Sequence, residues 1–300
     1  MARLLWQQRQ DIGPAPRYWA PMVYVTSTAK TLLTGGIGPG ALGDTWYWDG
    51  EDWVQVADTG PTQWGAGISS DEDRNVVVLH VAASPQYQVV GGTWEWDDEG
   101  WTQIADTGPA PEPGSFSMVY DAMRQVTVLD GGSARSGGVG TWGWDGKEWT
   151  QLADTGPSHR QASPLAFDQS RQRVVLFSGW PTNEPADAVL SDTWEWDGTV
   201  WKQCADSGPA RRSGHAMTGT GDRVLLFGGI TPLPSSSYVP VQDTWEWDGK
   251  HWKQRQDIGP RPRSQHSMTW DTARHRAVLF AGQNDMDVSL GDTWEAFETP

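Results

Sequence analysis

The tripeptide Asp-Thr-Trp or Gly-Thr-Trp occurs six times, ending at Trp46, Trp94, Trp142, Trp194, Trp245 and Trp294, at intervals of roughly 50 residues. A unit of that length, made of short strands with glycine punctuation, cannot bury its apolar face alone and must bury it against its neighbours. Closing such units into a circle gives one four-stranded blade per copy. The predicted fold is therefore all-β, a six-bladed β-propeller with four antiparallel strands per blade, forming a single domain over residues 1–300.

Each unit reads the same way. A strand such as Ser264 to Trp270 follows Gly-Pro, then comes a turn marked by Asp271 and Arg274, then the apolar run Ala277-Val278-Leu279-Phe280. The run ends in a glycine pair, as in Gly35-Gly36, Gly131-Gly132 and Gly228-Gly229, or in Ser178-Gly179 and Ala281-Gly282. After a variable loop, the third strand carries tryptophans two apart, such as Trp194 and Trp196, which point to one side and are expected to pack on the next blade. Asp197-Gly198 is a hairpin turn into a fourth strand that opens with Trp201. The apolar run, the diglycine, the aromatic third strand and the tryptophan of the fourth resemble the kelch repeat family, as in the propeller of galactose oxidase. The resemblance spans the chain and implies a propeller. Kelch rings host unrelated activities, so it implies no particular function.

The ends predict how the ring closes. The last copy stops after a third strand, Asp292 to Phe297, while Leu5-Trp6-Gln7-Gln8-Arg9-Gln10-Asp11-Ile12-Gly13-Pro14 parallels His251-Trp252-Lys253-Gln254-Arg255-Gln256-Asp257-Ile258-Gly259-Pro260. The N-terminal segment is expected to be the outer strand of blade six, pairing an edge otherwise left open.

Composition narrows the function. A formal charge of −16 opposes a nucleic-acid partner, which needs clustered lysine and arginine. Much of the acidity lies in the copied segments and reads as a device keeping a ring with 21 tryptophans soluble. The single cysteine, Cys204, excludes an internal disulfide framework; its counterparts Val56, Ile104, Leu152 and Arg255 mark an outer-strand packing position. No run approaches membrane-spanning length and the N-terminus lacks a signal-peptide core, so a cytoplasmic protein without membrane contact is expected. A monomer is expected.

In an antiparallel blade the turns joining strands one to two and three to four share one face, and these are short and constant. The loops joining strands two to three, with the linkers between blades, share the other face and vary widely, as in Ile230 to Gln242. Binding is expected on that variable face. Trp19, Trp64 and Trp180 are not accounted for by the repeat and fall there, with Tyr18 and Phe116 at the starts of first strands; Trp270 has Tyr24, Tyr120 and Phe167 as counterparts and reads as scaffold. An aromatic-rimmed channel mouth would suit a small molecule or simply be plugged by those rings.

The residue before the diglycine is Phe177, Phe227 and Phe280 in blades four to six but Thr34, His80 and Asp130 in blades one to three. Polar groups at a packing position need a ligand, water or one another. His80 and Asp130, in adjacent blades, are the candidate acid–base pair, with a structural hydrogen bond as the alternative. Arg17, Arg212 and Arg263, with His159 in the corresponding place beside Arg160, could hold a carboxylate or phosphate, or could anchor the linkers. His215 and His266 resemble ordinary kelch patterning, and His251 and His275 belong to the turn face.

No metal-ligand spacing stands out, although Asp285 and Asp287, or Glu184 and Asp187, could hold a cation weakly. The copper-radical chemistry of galactose oxidase is disfavoured, because Cys204 lies on the wrong strand. No nucleophile elbow or phosphate loop occurs. Two functions follow as expectations. One is a small-molecule-binding propeller acting as a cofactor-free isomerase, lyase or cyclase; the other is a scaffold gripping a peptide or protein on the same face.

Overall fold

The computed structural model describes residues 3–9, 12–61, 65–83, 91–132, 140–181, 189–233, 237–256 and 258–299. It is a six-bladed β-propeller, with no helix among the described residues and hence none long and apolar enough to cross a membrane. Blade one consists of Met22–Val25, Lys30–Thr34, Thr45–Trp48 and Trp53–Ala57, hydrogen-bonded in that order. Blade two repeats the order with Gly67–Asp71, Val76–Val81, Gly92–Trp96 and Trp101–Ala105. Phe116–Asp121, Val126–Gly131, Gly140–Trp144 and Trp149–Ala153 form blade three. Blade four has Leu165–Asp168, Arg173–Pro181, Leu190–Trp196 and Trp201–Ala205. Blade five has Ala216–Gly219, Val224–Phe227, Thr244–Trp247 and Trp252–Gln256.

Blade six takes its first three strands, Ser267–Asp271, Arg276–Phe280 and Thr293–Thr299, from the end of the chain and its fourth, Arg3–Gln8, from the beginning. Trp6 pairs with Ala296 in the register that joins Trp53 to Trp48 in blade one. The closure expected from the sequence is the closure observed.

One hydrogen bond explains both the threonine of the tripeptide and the tryptophan that opens each fourth strand. Each such indole donates across the blade interface to the threonine of the preceding blade: Trp101 to Thr45 at 2.9 Å, Trp149 to Thr93 at 2.8 Å, Trp201 to Thr141 at 2.7 Å, Trp252 to Thr193 at 2.9 Å, Trp6 to Thr244 at 3.0 Å and Trp53 to Thr293 at 2.8 Å. Beneath these bonds the second third-strand tryptophans, Trp48, Trp144, Trp196 and Trp247, are fully buried against the neighbouring blade. Each brings a large apolar area, and Trp48, Trp144 and Trp247 also donate to Glu295, Glu95 and Glu195, whereas the Trp196 Nε1 has no partner among the described residues.

The acidic residues of the repeat are structural rather than merely solubilising. In the third-to-fourth turns the carboxylate of Asp49 accepts the backbone N–H of Glu51 and of Asp52, both at 2.9 Å, and Asp145, Asp197 and Asp248 repeat this. In the first-to-second turns Asp71, Asp168 and Asp271 hold Arg74, Arg171 and Arg274, whose guanidinium groups reach Glu95, Glu195 and Glu295 on the third strand. Gly50 shows why the hairpin turn needs glycine, since a Cβ there would lie 2.5 Å from the Arg274 guanidinium of blade six and its φ is +106°. Cys204 lies exposed on the outer strand of blade four.

Candidate functional site

The first strands line a central channel, and a backbone collar defines its variable-face end. One residue from each blade adopts a left-handed conformation there: Trp19, Gly65, Gly114, Ala162, Gly214 and Gln265, with φ between 50° and 73°. Their amides bond head to tail around the axis. Trp19 N–H donates to Gln265 O at 2.9 Å, Gln265 to Gly214 at 2.7 Å, Gly214 to Ala162 at 2.9 Å, Ala162 to Gly114 at 3.0 Å and Gly114 to Gly65 at 3.1 Å. Six segments of the chain joined in series by these five hydrogen bonds narrow the channel at the end where the sequence suggested an open aromatic mouth. For Trp19, Ala162 and Gln265, which carry a Cβ, the conformation costs on the order of 1 kcal/mol each.

Behind the collar lies a chamber of about 170 Å³, whose walls include Trp19, Phe116, His215, Gln265, His266 and Ser267. The channel continues along the same strands into a wider segment of about 380 Å³ that reaches the turn face, walled by Met22, Met118, Met217, Met268 and Trp270. Trp270 is thus both packed on the core and a wall of the channel.

Three residues of the chamber wall carry buried polar groups that the protein leaves unanswered. His215 and His266 are buried, and among the described residues neither ring nitrogen of either has a hydrogen-bond partner, nor does the Gln265 Oε1. Each imidazole meets a phenylalanine of the preceding blade edge-on, His215 with Phe177 at 5.8 Å and His266 with Phe227 at 5.4 Å. The carbonyls of those phenylalanines approach the rings and favour the charged form slightly, but their geometry falls short of a hydrogen bond. Burial dominates, aided by the charges of Arg212 and Arg263, so His215 is held well below its ordinary range and His266 is lowered to about 3. Both are neutral imidazoles, each offering one donor and one acceptor. The sequence reading passed over this pair as scaffold.

The proposed acid–base pair does not form a unit. His80 points into the crevice between blades two and three, its ring packed edge-on against Phe116 at 5.7 Å and Trp149 at 5.2 Å. Its Nδ1 lies 3.2 Å from Thr93 Oγ1 and its Nε2 lies 3.0 Å from the Pro109 carbonyl, which assigns the proton to Nε2. Burial lowers its pKa to about 4. Asp130 faces the other side of blade three, toward the linker into blade four, where Thr141 Oγ1 donates to its carboxylate at 2.7 Å. Burial raises it to about 6 against the Thr141 hydrogen bond and the Arg160 charge. Thr34 bonds Thr45 at 3.1 Å. All three polar residues therefore extend the interblade bond between tryptophan and threonine, and a blade's thickness separates His80 from Asp130.

The arginines are linker anchors. Arg17, Arg160, Arg212 and Arg263 are buried, and each guanidinium pairs in bidentate fashion with the aspartate of its own blade's tripeptide: Asp44, Asp192, Asp243 and Asp292, at 2.7 to 3.0 Å. Each also donates to the carbonyl of Gly35, Ser178, Gly228 or Ala281. Their donors are engaged by the protein, which leaves no fork for a ligand carboxylate or phosphate. Burial alone would raise Asp243, but the Arg212 hydrogen bonds and charge, with the Trp245 indole, outweigh it and hold it low. Arg160 rather than His159 occupies the anchor position in blade four, and His159 lies on the wall of the Asp130 cleft.

Among the remaining candidates, Tyr18 bridges Ile37 and its ring lies 5.7 Å from that of Trp19. Trp180 stacks 4.8 Å from Tyr238 across blades four and five. Trp64, Glu184 and Asp187 lie outside the described residues. Among the described residues no group of three or more His, Cys, Asp and Glu is arranged to hold a metal ion.

No family model matches this chain. No curated protein matches it either. Among solved structures, the one titled Structure of YjhT is similar over 96% of this chain and 99% of that chain, with a TM-score of 0.73 and 11% sequence identity. At that identity the likeness is one of fold, and the fold shared is the β-propeller.

Proposed function

We propose that this protein is a kelch-type propeller that binds a small neutral molecule in the channel chamber behind the collar. The observation that carries the reading is the set of buried polar atoms without a hydrogen-bond partner among the described residues on His215, His266 and Gln265, three residues that line the chamber together with Trp19 and Phe116. An unsatisfied buried polar group costs about 1–3 kcal/mol, a cost that a ligand or ordered water returns on entry. The strained collar residues Trp19, Ala162 and Gln265 sit at the same place, as strain at binding sites often does. Imidazoles held well below their ordinary range by burial are poor proton acceptors at neutral pH, which favours binding over the isomerase, lyase or cyclase reading.

Native mass spectrometry of the purified protein tests this against a His215→Leu/His266→Leu variant. The expected result is a retained small molecule in the wild type that is lost from the variant. Wild-type protein carrying only water, together with no thermal shift in a library of small polar metabolites, overturns the reading.

The Trp180 and Tyr238 pair favours a second reading, a partner protein seated on the variable face. The nearby Leu233 is exposed and apolar. Trp180→Ala should then abolish a specific, saturable interaction while leaving chamber binding intact.

A further inference from the structure

The wider channel segment of about 380 Å³ is a compartment distinct from the chamber behind the collar, and among the described residues the two share no wall residue. They meet at a girdle with one apolar side chain from each blade: Met22, Ile68, Met118, Leu165, Met217 and Met268, each paired with a leucine of its own second strand. The first strands and first-to-second turns on the turn-face side of this girdle are described throughout.

Two positions nearer the turn face, the wall carries Tyr24, Tyr120, Phe167 and Trp270 in blades one, three, four and six, and Ser70 and Gly219 in blades two and five. Blades two and five stand opposite each other in a ring of six. The cross-section is therefore longer along the diameter that joins them, and aromatic residues wall the two long sides. Gly219 is kept small by its neighbour, since a Cβ there would lie 1.9 Å from the Phe167 carbonyl oxygen. Blade five also turns back early: Met217 pairs with Leu226, nine positions on, whereas Met268 pairs with Leu279, eleven positions on. The rim is lower at that end of the slot.

The wall offers faces and edges more than directed polar groups. Ser69 bonds Thr127 at 3.0 Å, the Thr269 hydroxyl accepts the Tyr24 N–H at 3.0 Å, and Tyr120 donates to Asp73. Apart from the two tyrosines, no ionisable side chain stands in the layers from the girdle to the aromatic residues, so a charged solute would lose hydration without return. Aromatic rings favour other rings in stacked or edge-on contact, and thioethers favour ring edges.

We propose that this segment is a slot for a planar, uncharged aromatic molecule of two fused rings, lying along the diameter from blade two to blade five with one edge on the methionine girdle. The slot is independent of the chamber and of what the chamber binds.

The test uses β-naphthol with the intact protein, isotopically labelled at its methionine methyl groups for NMR. Saturable ring-current shifts are expected at Met22, Met118, Met217 and Met268, while Met286, exposed on the loop between the second and third strands of blade six, stays fixed. Decahydro-β-naphthol, the saturated compound of the same skeleton, should bind roughly 3–10-fold more weakly in calorimetry. Ser70→Tyr, which copies Tyr24 and Tyr120, should close one end of the slot and weaken β-naphthol by about 10-fold or more. Phe167→Leu keeps an apolar wall without the ring, and should narrow the preference for the aromatic compound. The His215→Leu/His266→Leu variant should bind β-naphthol as wild type does, so the slot and the chamber stand or fall separately. No saturable shift at the four girdle methyls, an equal shift at Met286, or equal binding of the two compounds by wild type overturns the proposal.

Discussion

Trp6 and Thr244 lie 238 positions apart in sequence and are joined by a 3.0 Å hydrogen bond that seals blade six to blade five. Trp6 also packs its ring 5.0 Å from Phe227, so one residue near the start of the chain completes the interface made elsewhere by Trp53, Trp101, Trp149, Trp201 and Trp252. Trp6→Ala is expected to cost about 3–5 kcal/mol in urea unfolding, as the loss of a large interface side chain. Deleting residues 3–8 should expose the edge of Thr293–Thr299 and produce aggregation or loss of cooperative unfolding. A truncated chain that stays monomeric with an unchanged melting curve would contradict the role given to this strand.

Arg212 and Asp243 form a buried bidentate pair at 2.7 and 2.8 Å. Removing one partner leaves the other charge without compensation, so Arg212→Ala should cost about 3–5 kcal/mol. Arg212→Lys should recover only part of that, because an ammonium cannot match both carboxylate oxygens and the Gly228 and Ala210 carbonyls at once. Full rescue by lysine would mean that charge alone, rather than the planar fork, holds the linker.

His80 gives stability a dependence on acid. Its folded pKa of about 4 lies below the unfolded value near 6.5, so its contribution is complete above about pH 6.5 and is lost as pH falls toward about 4, up to about 3 kcal/mol. His215 and His266 act in the same direction. Asp130 acts oppositely, because its pKa is raised to about 6; its contribution is present below the ordinary carboxylate range and is lost as pH rises through about 6. Urea unfolding at about pH 7 and about pH 5 should show wild type weakened by acid, and His80→Phe weakened less. An identical acid response in wild type and variant would show that His80 is not buried in its neutral form.

Trp247 and Trp19 should separate energetically. Trp247 is fully buried and donates to Glu195 at 2.7 Å, so Trp247→Ala should cost about 3–5 kcal/mol. Trp19 is half-buried in a strained backbone position, and Trp19→Gly should cost less than about 1 kcal/mol because glycine relieves the left-handed strain as the ring contacts are lost. Equal losses would make Trp19 a plug and weaken the case for an open chamber.

The ring, the blade order and the closure were legible because each is written several times. Trp6 was recognisable as the partner of the closing strand because its surroundings copy those of Trp252. The anchors were legible in principle too. Aspartate heads the tripeptide in the four blades that carry Arg17, Arg160, Arg212 or Arg263, while Gly92 and Gly140 replace it in the other two. Counting three residues on from each Gly-Pro also places Arg160, not His159, in the series. The chamber was not legible in this way. Nothing in the residue types of Ala162 or Gln265 signals a left-handed backbone, and the isolation of the His215 and His266 nitrogens is created by what neighbouring blades fail to offer. His80 misled for the complementary reason: its partners, Thr93 and the Pro109 carbonyl, include a backbone atom that residue spacing does not reveal.

The collar also has an electrical consequence. At a helix terminus the peptide dipoles add along one axis and favour one sign of charge. In the collar five amides point from one blade's segment to the next around the axis, so their dipoles run largely around the bore and contribute little along it, much as strand dipoles largely cancel across a sheet. A solute arriving at this end meets a wall made of peptide groups yet almost without axial field. The collar's own amides therefore sort solutes by girth rather than by charge.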